Sequence, residues 1–163
     1  MNILGDQRNN FPESEDPFLI RTDFSDDSKW EILVSLIEKP TRIESETTFF
    51  KDLGATDIIV EYKANVTFVN APIFKGMSIQ ELVTMYPLER NHMCFFVADT
   101  KTLRHPDFPI IVVDLSEKVG RSFRVIPSEM WSVENNLSIC NMDFEEFSGS
   151  IDSDGIFRGF PEI

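Results

Sequence analysis

"MCFFVADTKTLRHPDFPIIVVDL", residues 93–115, contains two compact apolar runs of strand length, one closing on Asp99 and the other reaching Asp114. Runs this short and this rich in β-branched and aromatic side chains read as buried strands. Upstream, "PFLIRTDF" (17–24) is a third such run, closed by Asp23 and Phe24. "SDDSKWEILVSLIEKP" follows it, with Ser25 or Asp26 as cap, acids in the first turn and a stop at Pro40. Trp30, Leu33, Val34 and Ile37 fall on one face of that helix. Strand then helix is the first half of a βαβ unit.

The remaining segments fit around this frame. "TRIESETTFFKDLGAT" (41–56) reads as loop with a helical turn around Phe49 to Leu53, and "DIIVEYKANVTFVN" (57–70) as one long strand or a hairpin broken near Lys63-Ala64-Asn65. "GMSIQELVTMYP" (76–87) sets Ser78 three residues before Glu81, a capping box, and stops at Pro87. "RSFRVIP" (121–127) alternates like a half-exposed strand, and Lys118-Val119-Gly120 before it makes a tight turn, so residues 110–126 form a hairpin. The chain therefore reads as α/β, with a mixed α+β arrangement also compatible: a single domain over 18–163 whose central mixed sheet has about five strands with helices packed on it. Residues 1–17 are polar and without period, and read as a mobile tail.

"SVENNLSICNMDFEEF" (132–147) supports two readings. Met130, Val133, Leu137, Cys140, Phe144, Phe147 and Ile151 are spaced 3, 4, 3, 4, 3 and 4, a continuous helical stripe. Against this, Asp143 stands three residues before Glu146, a capping box, and Met142 and Phe147 occupy the positions of a hydrophobic staple. Asn135, Asn136 and Asn141 favour caps and turns over helix interiors. These signals favour a break between Asn136 and Met142, which would gather the asparagines in one turn near strand ends.

Composition bounds the function. The 163 residues carry 28 acids against 15 bases, net charge −13, and fifteen phenylalanines within an apolar fraction of 42%. That is enough apolar material for one core. A surface this negative repels phosphate backbones and anionic lipids, so neither nucleic acid nor membrane is expected as partner. No run approaches the roughly 18 apolar residues of a membrane span, and the N-terminus lacks the basic and apolar regions of a secretory signal. The expected location is the cytoplasm, where the sequons at Asn65 and Asn136 carry no meaning. Cys94 and Cys140, without a CxxC, read as free thiols.

No catalytic signature stands out. His92 and His105 are the only histidines, too few for a three-histidine zinc site. "FSGS" (147–150) lacks the nucleophile-elbow pattern, and nothing cationic flanks Cys94 in sequence to activate it. The three strand-closing aspartates, Asp23, Asp99 and Asp114, would share one sheet edge if their strands are parallel, and could then hold Mg²⁺ beside Thr100 and Lys101. Otherwise no cofactor is expected. Each of these aspartates has the competing role of helix cap.

The order of "LIRTDFSDDSKWE", "FFVADTKTL", "HPDFPIIVVDL", "SFRVIPSEMWSVENNLSICNMDFEEF" and "DGIFRGF" resembles a family of small bacterial proteins that is a domain of unknown function. The resemblance spans residues 18 to 160 and implies one domain. It implies no activity, cofactor or catalytic residue.

Three functional expectations follow. The first is an acidic protein-binding module with a basic partner protein, an immunity-type inhibitor of a cationic toxin being the concrete form. Its motive is the base-free stretch 125–157, which holds seven acids, and its candidate residues are Asn135, Asn136, Asn141, Glu145, Glu146 and Arg158. The second is a Mg²⁺-dependent or phosphoryl-handling enzyme built on Asp23, Asp99 and Asp114. The third is a small-ligand sensor with a pocket lined by the asparagines. A further expectation is one aromatic cluster of Trp131, Phe144, Phe147, Phe157 and Phe160, with the indole N–H paired and Arg158 on a carboxylate.

Overall fold

The computed structural model describes residues 10–45 and 58–162. Along them run β1 (Phe18–Arg21), α1 (Asp27–Glu38), β2 (Thr41–Ser45), β3 (Ile58–Tyr62), β4 (Thr67–Val69), α2 (Ile79–Met85), β5 (Cys94–Ala98) and α3 (Thr100–Arg104). Then follow β6 (Ile110–Asp114), β7 (Ser122–Val125), α4 (Met130–Ser138), α5 (Phe144–Ser148) and β8 (Ile156–Phe157). Six strands make one mixed sheet in the order β4-β1-β5-β6-β7-β8, and β2 and β3 make a separate antiparallel pair.

Parallel pairing joins β4, β1 and β5, and also β7 and β8; β6 alone runs against its neighbours. The pleat sends alternate residues to opposite faces. Leu19, Phe96, Val112 and Phe123 meet Trp30, Leu33 and Ile37 of α1, Leu103 of α3, and α4 and α5 on one face. Phe18, Ile20, Phe95, Val97, Ile111 and Val113 meet Leu82 and Met85 of α2 on the other. Strands covered on both faces must be apolar throughout, which is why 94–98 and 110–114 show no alternation. Ser122 is exposed and Arg124 half-buried between buried Phe123 and Val125, so β7 alternates as its pattern requires.

The hairpin at 110–126 forms with Gly120 at φ 96°, a conformation only glycine adopts without strain. The "DIIVEYKANVTFVN" segment is neither one strand nor a hairpin: β3 pairs with β2, and β4 joins β1 in the main sheet. Residues 41–45 are strand rather than loop, while the expected turn at Phe49 to Leu53 lies outside the described residues. Residues 10–17 lie against the domain, so the tail reading does not extend to them. Phe11 is buried with ring centroids 5.2 Å from Phe18, 5.1 Å from Phe74 and 5.7 Å from Tyr86. No helix among the described residues is long and apolar enough to cross a membrane.

Candidate functional site

The break in 132–147 is present. α4 ends at Ser138, Cys140 takes the left-handed conformation at φ 54°, and α5 opens after Asp143, whose N–H donates to Glu146 Oε2 at 2.7 Å. Cys140 is therefore exposed and drops out of the apolar stripe, while Val133, Leu137, Phe144 and Phe147 stay buried. The asparagines build this turn. The Asn136 carbonyl accepts the N–H of Asn141 at 2.9 Å, and Asn141 Nδ2 donates to Asn136 Oδ1 at 2.7 Å. Asn135 Oδ1 accepts from Asn65 Nδ2 at 3.3 Å. The cavity of about 100 Å³ beside the turn is lined by Met93, Leu137, Cys140 and Met142, among others, and by none of the three asparagines. The turn is a structural device, and the sensor reading loses its pocket.

The strand-end aspartates do not converge. β6 is antiparallel to β5, and Asp114 pairs with Cys94, the first residue of β5, whereas Asp99 follows its last. Five residues of strand, at about 3.3 Å each, separate the two by roughly 16 Å. Asp114 is spent on the β6–β7 turn: Oδ1 accepts from the Ser116 N–H and hydroxyl at 2.8 and 2.6 Å, and Oδ2 from Lys118 N and Arg121 Nε at 3.2 and 2.7 Å. Asp99 caps α3 through Thr102 and holds Arg124. Asp23 Oδ1 accepts from Ser25 N at 2.9 Å. Its Oδ2 is buried without a partner among the described residues, the Thr100 hydroxyl approaching without hydrogen-bond geometry. Among the described residues no three His, Cys, Asp or Glu side chains are placed to hold one ion. The shared Mg²⁺ site of Asp23, Asp99 and Asp114 is thus absent from the fold, because one antiparallel strand sends Asp114 to the far edge.

The other nucleophile candidate is equally unsuited. Burial pushes the Cys94 thiol well above its ordinary value, with Glu134 and Asp114 adding to the effect, so the thiolate is suppressed. His92, read as a loop residue, is half-buried, and its Nδ1 meets Tyr86 Oη at 2.7 Å.

The acidic last third is where charge and shape coincide. Glu145 holds Arg121 Nη1 at 2.9 Å and Lys118 Nζ at 3.4 Å, which ties α5 to the β6–β7 turn. Glu146 is the α5 cap and is otherwise exposed. Arg158 follows β8 and is clamped by three carboxylates: Asp152 Oδ2 at 2.7 Å, Asp154 Oδ2 at 2.8 Å and Asp107 Oδ2 at 3.0 Å. The Arg158 bond holds Asp154 down at about 2, well below the usual carboxylate range. Glu129 lies close by, its Cδ 3.3 Å from where a Cβ on Gly159 would stand. Burial raises the Glu129 carboxyl, and no hydrogen bond or ion pair among the described residues answers it.

Beside this knot lies an open groove of about 240 Å³, mostly apolar, lined by Leu36, Ile126, Pro127 and Ser128 with Asp107 and Arg158 at its rim. It sits at the edge where β7 ends and β6 begins. The sequence reading missed Asp107, Leu36 and Ile126 as site residues, since Asp107 stands 51 positions from Arg158 and only sheet closure joins them.

A family model matches residues 16–160. The chain belongs to the DUF6924 family, a domain of unknown function. No curated protein matches the chain. The family match covers both the acidic knot around Arg158 and the groove beside it.

Proposed function

We propose that this DUF6924 domain is an acidic, non-catalytic protein-binding module whose partner is a basic protein, an immunity-type inhibitor of a cationic toxin being its concrete form. One observation carries the reading. Of the seven arginines among the described residues, six (Arg21, Arg42, Arg90, Arg121, Arg124 and Arg158) are tied into ion pairs with the chain's own carboxylates; Arg104 is the seventh. The net charge of −13 is therefore displayed with little free guanidinium to offset it. Such a surface attracts cationic partners and accelerates encounter, an effect that salt screens.

Affinity capture from the source cells at low and at high salt tests this. The expected result is a basic protein retained at low salt and weakened or lost at high salt. Recovery of no basic protein at either salt would overturn the reading.

A further inference from the structure

The groove beside Arg158 combines two features that a simple acidic surface lacks. Its floor is apolar, from Leu36, Ile126 and Pro127, and Phe160, 43% exposed, stands two residues beyond Arg158. Its surroundings hold four carboxylates, Asp107, Glu129, Asp152 and Asp154, against the single guanidinium of Arg158, a surplus of three negative charges.

We propose that this groove is where the basic partner docks, taking one apolar side chain between Leu36, Ile126 and Pro127 while flanking lysines or arginines meet the surplus carboxylates. The proposal rests on the acidic-binding reading above and names its contact point. Charge selects this occupant. A second copy of this chain would bring the same negative surface and be repelled, and an uncharged apolar ligand would leave the carboxylates unanswered. An apolar anchor within a ring of complementary charge is also the usual form of an interaction hot spot.

The probe is a blocked pentapeptide, Gly-Lys-Leu-Lys-Gly, titrated into the full chain and followed by amide NMR shifts, with Gly-Lys-Ser-Lys-Gly and Gly-Glu-Leu-Glu-Gly as controls. Saturable shifts confined to Leu36, Asp107, Ile126, Ser128 and Arg158, seen with the first peptide alone, are expected. Leu36→Lys should weaken that binding by about tenfold or more, as loss of one anchor does, and Asp107→Asn less. Leu36 is 39% exposed, so the first variant leaves the fold intact. Shifts spread over other acidic residues, equal response to all three peptides, or no response would overturn the groove assignment. So would concentration-dependent shifts at the groove without peptide, which would give it to a second copy. Peptide binding in the groove alongside capture of no basic protein would uphold the groove chemistry and overturn the reading of the natural partner.

Discussion

Asp99 and Arg124 meet fork to fork: Asp99 Oδ1 accepts from Arg124 Nη1 at 2.8 Å and Oδ2 from Nη2 at 2.7 Å. The same Oδ1 accepts the Thr102 N–H at 3.0 Å, and Arg124 Nη1 also donates to the Pro109 carbonyl at 3.1 Å. One carboxylate thus starts α3 and fastens β7 across the start of β6.

Arg124→Met should destabilise the domain by about 1–3 kcal/mol, the range for hydrogen bonds to charged groups in a partly exposed pair. Burial acts to raise the Asp99 pKa, but Arg124 and Thr102 outweigh it and hold it low. A depressed carboxylate contributes stability above its unfolded value of about 3.9 and loses it as pH falls through the folded value. The gap in urea midpoint between parent and variant should therefore shrink below about pH 4. A gap that stays constant through that range would show that the pair contributes no linkage.

Phe157→Ala should cost about 3–5 kcal/mol, because a large buried ring leaves a cavity. Phe157 is fully buried, with ring centroids 5.3 Å from Phe147 and 5.0 Å from Phe160. Phe160→Ala should cost less, since that ring is 43% exposed. Denaturant midpoints of the two variants decide the order, and equal losses would contradict it.

Glu134 is a carboxyl 3% exposed on α4, accepting from Asn65 N at 2.8 Å and from the Ser138 hydroxyl at 2.8 Å. Burial raises its pKa against those two bonds. An acid with a raised folded pKa contributes stability below its unfolded value of about 4.3, and that contribution is lost as pH rises through the folded value. Glu134→Gln removes this titration, so the variant should gain on the parent as pH climbs from about 4 toward neutrality. Parallel stability curves would remove the buried carboxylate from the pH response.

Tyr86 Oη receives the Phe18 N–H at 3.3 Å and meets His92 Nδ1 at 2.7 Å. Tyr86→Phe strips a buried N–H of its acceptor and should cost about 1–3 kcal/mol. Burial lowers the His92 pKa, so its stabilising contribution is present above about 6.5 and fades as pH falls through the folded value. His92→Gln should flatten the parent's loss of stability on going from pH 7 toward 5. An unchanged slope in thermal melts would place that loss on other groups.

Local chemistry carried much of this structure in the sequence alone. The apolar runs at 18–21, 94–98 and 110–114 are strands because side chains buried on both faces must all be apolar, and no tertiary detail is needed to see it. Ser78 with Glu81 and Asp143 with Glu146 start helices through bonds made within four residues. The hairpin at 110–126 needs only Gly120 and the alternation of β7. Arg158 was also bound to find acids, having Asp152 and Asp154 within six residues.

What tertiary structure decided has long separations and no local signal. The direction of β6 sends Asp114 to the edge opposite Asp99, since strand order and polarity depend on which faces pack best over the whole sheet. β2 is too polar to announce itself and exists by pairing with β3. Trp131 did not join the phenylalanine cluster: it stacks on Tyr62 at 4.5 Å, and its indole N–H has no partner among the described residues. Phe144 and Phe147 instead meet through Phe123, at 4.9 and 6.4 Å. The groove belongs here too. Leu36, Asp107, Ile126 and Arg158 come from four separate segments, and only the closure of β8 onto β7 brings their side chains around one space.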